Sequence, residues 1–371
     1  MTDYKNLKKL TLVMLSFERQ LFVIRSMKYW SKKNINLLVF DGSKKPIQSA
    51  ILKKFTKYKN IYYEHCKSSY VQRILKAKSL IKTEYVALIG DDEFYIPSTV
   101  KRCIDELDKN NELVSCIGTA VSFYPLHGLI YGRPKYPKLF GYEISHNDPR
   151  ERVKTHMRDY VPSLIYAITR AHNWKIAASA YTDKEFPVFA MFELQMEMIL
   201  SFSGKSKVIP YLMWLRSSNE SKKIINKEKS LIPTNTFSKW WQNKKLKTEH
   251  ECFINIVSGK FSILSPGYKD EYYKNSVIDA CNSYMDYVFE RKVKRNISLA
   301  RKLARFFTGY IHDERKRKIK NFFFDFIGIS KLHSNLLLDE VIGMKKKSET
   351  VDLKEVQKII RIISDFHNNK S

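Results

Sequence analysis

The chain has 371 residues, 44% of them hydrophobic and 13% aromatic, and its 66 Lys and Arg outnumber 38 Asp and Glu for a formal charge of +28. That hydrophobic share excludes intrinsic disorder, and the length allows about two domains. The charge draws the molecule to phosphates, whether of nucleic acid, an anionic bilayer or a phosphate-linked sugar, although AT-rich codon usage filling surfaces with Lys, Asn and Ile would leave the same imprint.

In chain order, the apolar run Leu10 to Ser16 has the composition of a buried parallel strand. Phe22, Val23, Met27 and Trp30 then recur at helical spacing, and Ile35 to Phe40 is a second apolar run ending in the turn Asp41-Gly42-Ser43. The unit repeats. Ile61 to Tyr63 reads as a short strand, Val71, Ile74, Leu75 and Ile81 as a helix, and Tyr85 to Ile89 as another buried strand. Pro97 and Ser98 open a helix carrying Val100, Ile104 and Leu107, after which Leu113 to Tyr124 returns to strand composition.

The stretch from Gly128 to Pro149, rich in Pro, Gly and aromatics, reads as an irregular excursion. Val161 to Thr169 is strand-like, and Met191, Leu194, Met198 and Phe202 mark a helix that Gly204 would close from the C′ position. Val208 to Leu215 is a last apolar run. Beyond about residue 220 the chain becomes Lys- and Asn-rich, with Trp240-Trp241 embedded, and later segments keep helical faces at Val277, Cys281, Tyr284 and Val288 and at Leu353, Val356, Ile360 and Ile363. Alternating strands and helices predict an α/β fold with a mostly parallel sheet covered on both faces, over residues 1–220. Residues 221–371 are expected to form a basic α-helical C-terminal region.

Five cysteines without a Cys-x-x-Cys pair signal neither a disulfide framework nor a zinc site, which points to a reducing compartment. The run Leu10 to Leu15 is too short for a signal-peptide core, and no stretch reaches the roughly 18 apolar residues of a membrane span. A cytoplasmic protein, soluble or peripheral to the inner face of the cell membrane, is the expectation.

In open α/β sheets ligands bind beyond the carboxyl ends of the strands. The loops after residues 16, 40 and 89 should therefore line one crevice, and polar residues cluster there: Ser16, Glu18 and Arg19; Asp41 and Ser43; Asp91, Asp92 and Glu93. Three adjacent carboxylates repel one another unless a cation lies among them, and such hard oxygen ligands suit Mn²⁺ or Mg²⁺. The plainer reading is an acidic turn favoured ahead of a helix N-terminus.

Thr11 to Arg19, Val39 to Ser43 and Glu84 to Phe94 together resemble the GT-A fold glycosyltransferases, in particular the bacterial polysaccharide-type domain family. The resemblance covers about residues 8 to 220. It implies a Rossmann-like sheet and a metal-dependent, inverting transfer from a nucleotide-sugar donor to a glycan or lipid-linked glycan acceptor of capsule or lipopolysaccharide type, with no nucleic-acid partner. By position, Ser16, Phe17 and Arg19 would border the nucleotide, and Asp41 with Ser43 would receive its base or ribose. Arg73 would meet the nucleotide or its phosphates, and Arg216 would neutralise the diphosphate. Asp91 would face the sugar or ribose, with Asp92 or Glu93 on the metal; Glu stands where the family usually has Asp.

Glu193 matches the place of the family's general base, although Leu194 stands where an acidic partner is common; the alternative is a solvated helix carboxylate spaced with Glu197. Asp159-Tyr160 and the segment to Arg170 would line the acceptor side, a surface role being the other reading of Arg170 and of Arg216. Trp240-Trp241 would stack on a sugar, lie at a membrane interface or fill helix core. The basic C-terminal region would contact an anionic membrane. A sugar nucleotidyltransferase would need a Gly-rich loop after the first strand, which Ser16 to Gln20 lacks. A nucleic-acid-binding protein or two-metal nuclease gains from the charge but shows no recognised motif.

Overall fold

The computed structural model describes residues 5–184, 186, 188–218, 237–296, 336–346 and 349–368. Strand β1 (Leu10–Ser16), helix α1 (Gln20–Trp30), strand β2 (Asn36–Asp41), helix α2 (Ser49–Leu52), strand β3 (Ile61–His65), helix α3 (Tyr70–Leu80) and strand β4 (Tyr85–Ile89) form the parallel half of the sheet. Their spatial order is β3-β2-β1-β4, all parallel. The chain runs outward from β1 to β3, then crosses back through α3 to β4 on the other side of β1. Strand direction of progress reverses at β1, so the loops after β1 and β4 flank the crevice where such sheets bind ligands.

Alternation along these strands explains the two-sided burial. Leu12, Met14, Leu37, Val39 and Ala87 face one core with α1; Val13, Leu38, Phe40, Val86 and Leu88 face the other with α3. Strand β5 (Phe94–Tyr95) follows the carboxylate turn, and helix α4 (Pro97–Lys109) begins at Pro97 as expected.

The remainder of the sheet is antiparallel apart from one pair. Strand β6 (Leu113–Leu126) returns in a hairpin with β7 (Leu129–Lys135), so the region expected to be irregular opens with a strand; β8 (Glu143–Ile144) and helix α5 (Pro149–Arg158) follow. Of the strand expected at 161 to 169 only Ile168 and Thr169 pair, as part of β9 (Ile168–Arg170) between β4 and β6. Helix α6 (Ala171–Asp183), helix α7 (Phe189–Ser203) and strand β10 (Lys205–Ser217) complete this part, β10 running parallel to β6 and antiparallel to β5 and β8. The α/β architecture with helices on both faces is present, but the sheet is mixed: among the strands of the described residues, parallel pairing joins β1–β4 and β6 with β10. Gly204 is extended (φ 175, ψ −176) instead of left-handed. A Cβ there would collide with the side chain of Val114, so close approach to β6 explains the glycine.

The expected boundary near residue 220 falls within 219–236, outside the described residues. Helices α8 (Phe237–Trp241), α9 (Lys247–Leu264) and α10 (Asp270–Asn296) bury Trp240, Phe253, Phe261 and Val277 in the same core as α5, α6 and α7. Trp240 is a core residue whose Nε1 donates to Glu249 at 2.8 Å. Strand β11 (Leu336–Leu337) pairs with β7, and helices α11 (Leu338–Lys345) and α12 (Leu353–Asn368) bury Val341, Val356, Ile359 and Ile363 against the opposite face. The C-terminal region therefore covers both faces of the sheet instead of hanging from it. Among the described residues no helix is long and apolar enough to cross a membrane.

Candidate active site

The β1–α1 loop is held to its neighbours by short-range polar contacts. Glu18 adopts a left-handed conformation (φ 56), rare outside glycine, and its N–H donates to Ser43 Oγ at 2.8 Å while its Oε1 accepts from Lys44 N at 2.8 Å. Phe17 lies half-buried between Ser16 and this strained residue. Asp41 is fully buried and accepts from Ser43 N at 2.9 Å, Gln20 Nε2 at 2.9 Å and Tyr63 OH at 2.8 Å. Its carboxylate orders the turn from within. Arg73, also buried, donates through Nη1 to the Ser16 carbonyl at 2.5 Å, and a Cβ on Gly42 would stand 2.6 Å from the same nitrogen. Glycine at 42 thus makes room for a guanidinium that ties α3 to the end of β1.

The three carboxylates of the β4 turn have separate environments. Asp91 accepts from Ser16 Oγ at 2.7 Å and faces Arg19 Nε at 3.3 Å. Asp92 Oδ2 pairs with Arg19 Nη2 at 2.5 Å, and its Oδ1 has no protein partner among the described residues. Glu93 turns inward: Oε2 accepts from Trp214 Nε1 at 3.0 Å and Gly90 N at 3.3 Å, and Oε1 faces Arg216 Nε at 3.3 Å. Burial raises both Asp91 and Glu93 well above the usual carboxylate range, while Arg19 and Arg216 pull them back. Two arginines thus do for three clustered carboxylates what the sequence argument assigned to a cation.

Whether the turn fits a divalent metal depends on the oxygens it leaves open. Among the described residues no three His, Cys, Asp or Glu side chains converge on one point. Mg²⁺ and Mn²⁺ are commonly held by one or two carboxylates and completed by substrate phosphates and water. The open Oδ1 of Asp92 meets that requirement; Glu93, engaged by Trp214, Gly90 and Arg216, does not.

Arg216 connects this turn to a second feature. Its guanidinium lies 5.3 Å from the ring centre of Tyr136, 5.7 Å from Tyr166 and 5.2 Å from Trp214. Tyr136 in turn lines a pocket of about 550 Å³ together with Lys138, Tyr160, Glu193, Tyr287 and Glu290. Glu193, expected as a general base, is at this wall and accepts a hydrogen bond from Tyr160 OH. Burial raises its pKa to about 7, with Tyr160 lowering it and Glu197 raising it. Burial raises the Tyr166 hydroxyl well above its usual range, and the charges of Glu193 and Glu93 push it the same way.

Glu197 is not a solvated partner of Glu193. It is fully buried, bonded to His156 Nε2 at 2.8 Å and accepting from Leu164 N at 3.2 Å and Ile165 N at 3.1 Å, so it fixes the loop carrying Tyr160. Asp159 stands at the pocket mouth near Lys138, 3.7 Å away. Arg170 is elsewhere: it donates to Leu113 O at 2.8 Å and Leu107 O at 2.7 Å. Because β9 runs antiparallel to β4, Arg170 pairs with Tyr85 at the end of the sheet opposite the crevice.

Sequence reasoning missed Gln20, Tyr136, Tyr166, Trp214 and Tyr287. Trp214 sits in the apolar run of β10 and meets Glu93 only because β10 pairs with β5. Tyr287 comes from α10, so the C-terminal helices supply one wall of the pocket.

No protein family matches the chain, and no curated protein matches it. Among solved structures, Staphylococcus aureus TarS 1–349 is similar at 12% identity and a TM-score of 0.43, covering 76% of this chain and 91% of that one. TarS 1–349 in complex with UDP matches at 11% and 0.43, over 76% and 91%. TarS 1–349 in complex with UDP-GlcNAc matches at 11% and 0.41, over 76% and 92%. Likeness at that level carries no inference about chemistry.

Proposed function

We propose that the chain is a glycosyltransferase that moves a sugar from a nucleotide-sugar donor to a glycan or lipid-linked glycan acceptor, with inversion at the anomeric carbon. The observation that supports it is the joining of two sites by one aromatic and guanidinium bridge. The carboxylate turn at the switch point and the pocket around Glu193 meet through Arg216, Tyr136 and Tyr166. Donor chemistry belongs at the turn and acceptor chemistry in the pocket.

In this reading Arg19 and Arg216 face the donor diphosphate, and Ser16 and Asp91 set the position of Arg19. Mn²⁺ or Mg²⁺ on Asp92 would supply positive charge to the departing nucleoside diphosphate. Glu193 takes the proton of the acceptor hydroxyl as that oxygen attacks; a carboxyl with a pKa of about 7 is well matched to the task at neutral pH. Tyr160 orients the carboxylate by donating to it. Tyr136, Tyr160 and Tyr287 offer ring faces and edges to a sugar.

The test is thermal shift with UDP, CMP and GDP, each with Mn²⁺, against single-stranded DNA. Stabilisation by one nucleotide and none by DNA is the expected result. Stabilisation by DNA alone would overturn the reading in favour of nucleic-acid binding. The capsule or lipopolysaccharide type of acceptor rests on the resemblance of residues 8 to 220, and the contact with an anionic membrane on the charge of +28. Flotation of the full chain with anionic and with neutral liposomes at low salt checks the contact, and equal flotation with both would rule it out.

A further inference from the structure

Arg25 lies behind the carboxylate turn, with 5% of its surface exposed, and its guanidinium is enclosed by three rings. The ring centres of Phe22, Phe94 and Phe366 are 5.0, 4.7 and 4.7 Å away. Each ring comes from a different part of the chain. Phe22 is on α1 and also lies under Arg19, 4.6 Å from that guanidinium. Phe94 directly follows the Asp91–Glu93 turn in β5. Phe366 comes from the last turns of α12 and packs on Phe22 at 5.0 Å. One residue after Arg25, Ser26 Oγ donates to the Asp91 carbonyl at 2.8 Å.

Helix α12 is anchored independently of this cage. Val356, Ile359 and Ile363 are buried in the core, and Glu355 Oε2 accepts from Ser98 N at 2.9 Å and Ser98 Oγ at 2.8 Å. The helix therefore delivers the Phe366 ring to a fixed place. A cation enclosed by aromatic faces is held by their electron density and loses water that would otherwise compete.

We propose that Arg25 and Phe366 are positioning residues. Phe366 seats Arg25 between Phe22 and Phe94, and this fixes the separation of the Arg19 loop from the Asp91–Glu93 turn. The nucleotide arm of its test rests on the proposed function; the other arm does not.

Hydrogen exchange on the full-length, ligand-free protein reads the effect directly, since local loosening appears as faster amide exchange. Phe366→Ala is expected to speed exchange in segments 17–26 and 91–95 by about tenfold, the scale of one lost cation–π contact. Phe366→Tyr, which keeps the ring, is expected to restore native rates, and Phe366→Leu is not. Phe261→Leu, in the core on the other face of the sheet, lowers melting temperature without touching the cage and should leave both segments at native rates. In parallel, Phe366→Ala should weaken binding of the nucleotide that stabilises the native chain by about tenfold, with Phe366→Tyr close to native. Native exchange rates in Phe366→Ala, or equal acceleration by Phe261→Leu, would overturn the proposal. A native chain that binds none of UDP, CMP and GDP sinks the proposed function while the exchange result still decides the role of Phe366.

Discussion

Replacing Glu193 by Gln separates catalysis from folding at one atom. Gln keeps the volume and an oxygen that can accept from Tyr160, so the pocket wall is preserved. It cannot take a proton. Loss of a general base costs about 10²- to 10⁴-fold in rate, while nucleotide affinity should hold, because Glu193 lies on the pocket side of Arg216. The stability effect has the opposite sign. Glu193 has its pKa raised from 4.5 to about 7 by burial, so the folded state binds more protons than the unfolded state between those values. Stability contributed by this group is whole below pH 4.5 and is lost as pH rises through about 7. At 1.36 kcal/mol per pH unit the loss approaches about 3 kcal/mol, less what solvent in the pocket screens. Gln does not titrate. Urea unfolding of native and variant protein at pH 5 and pH 8 should show the variant gaining on the native chain at the higher pH. Sugar transfer or donor hydrolysis by the native enzyme should rise with pH through about 7. A variant with native turnover, or a stability difference independent of pH, would refute the assignment.

Asp92→Asn should abolish any Mn²⁺-dependent stabilisation seen with nucleotide and leave Arg19 without its closest anion, measured as the nucleotide-induced melting shift with and without EDTA. Trp214→Phe removes the indole donor to Glu93 and should cost about 0.5–1.5 kcal/mol in urea unfolding, the net worth of one hydrogen bond, because Gly90 N still donates to the same oxygen. Glu355→Ala deprives Ser98, at the start of α4, of its acceptor and should cost about 0.5–2 kcal/mol by the same measurement.

Local pattern was enough to locate β1, β2 and β4, the helix from Pro97, and α7, because each is a long run with strong apolar periodicity or a cap. It also placed Ser16, Arg19, Asp41 and the Asp91–Glu93 turn on one edge, since parallel strands joined by helices bring their carboxyl ends together. Glu193 was legible as a carboxylate near a helix start. Its environment was not, because desolvation and the bond from Tyr160 arise from chain segments that have no register with it in sequence.

Long-range pairing decided the rest. The pairing of β5 with β10 puts Trp214 and Arg216 on Glu93, and no periodicity in Val208 to Leu215 encodes a partner so distant in the chain. The same holds for the helices beyond residue 237. Their amphipathic faces announced that they would bury something, and only the tertiary structure chose what. One group walls the Glu193 pocket with Tyr287, while α12 closes an aromatic cage behind Asp91. Composition and period set which faces are apolar; which apolar faces meet depends on shape and on the polar groups that must find partners when they do.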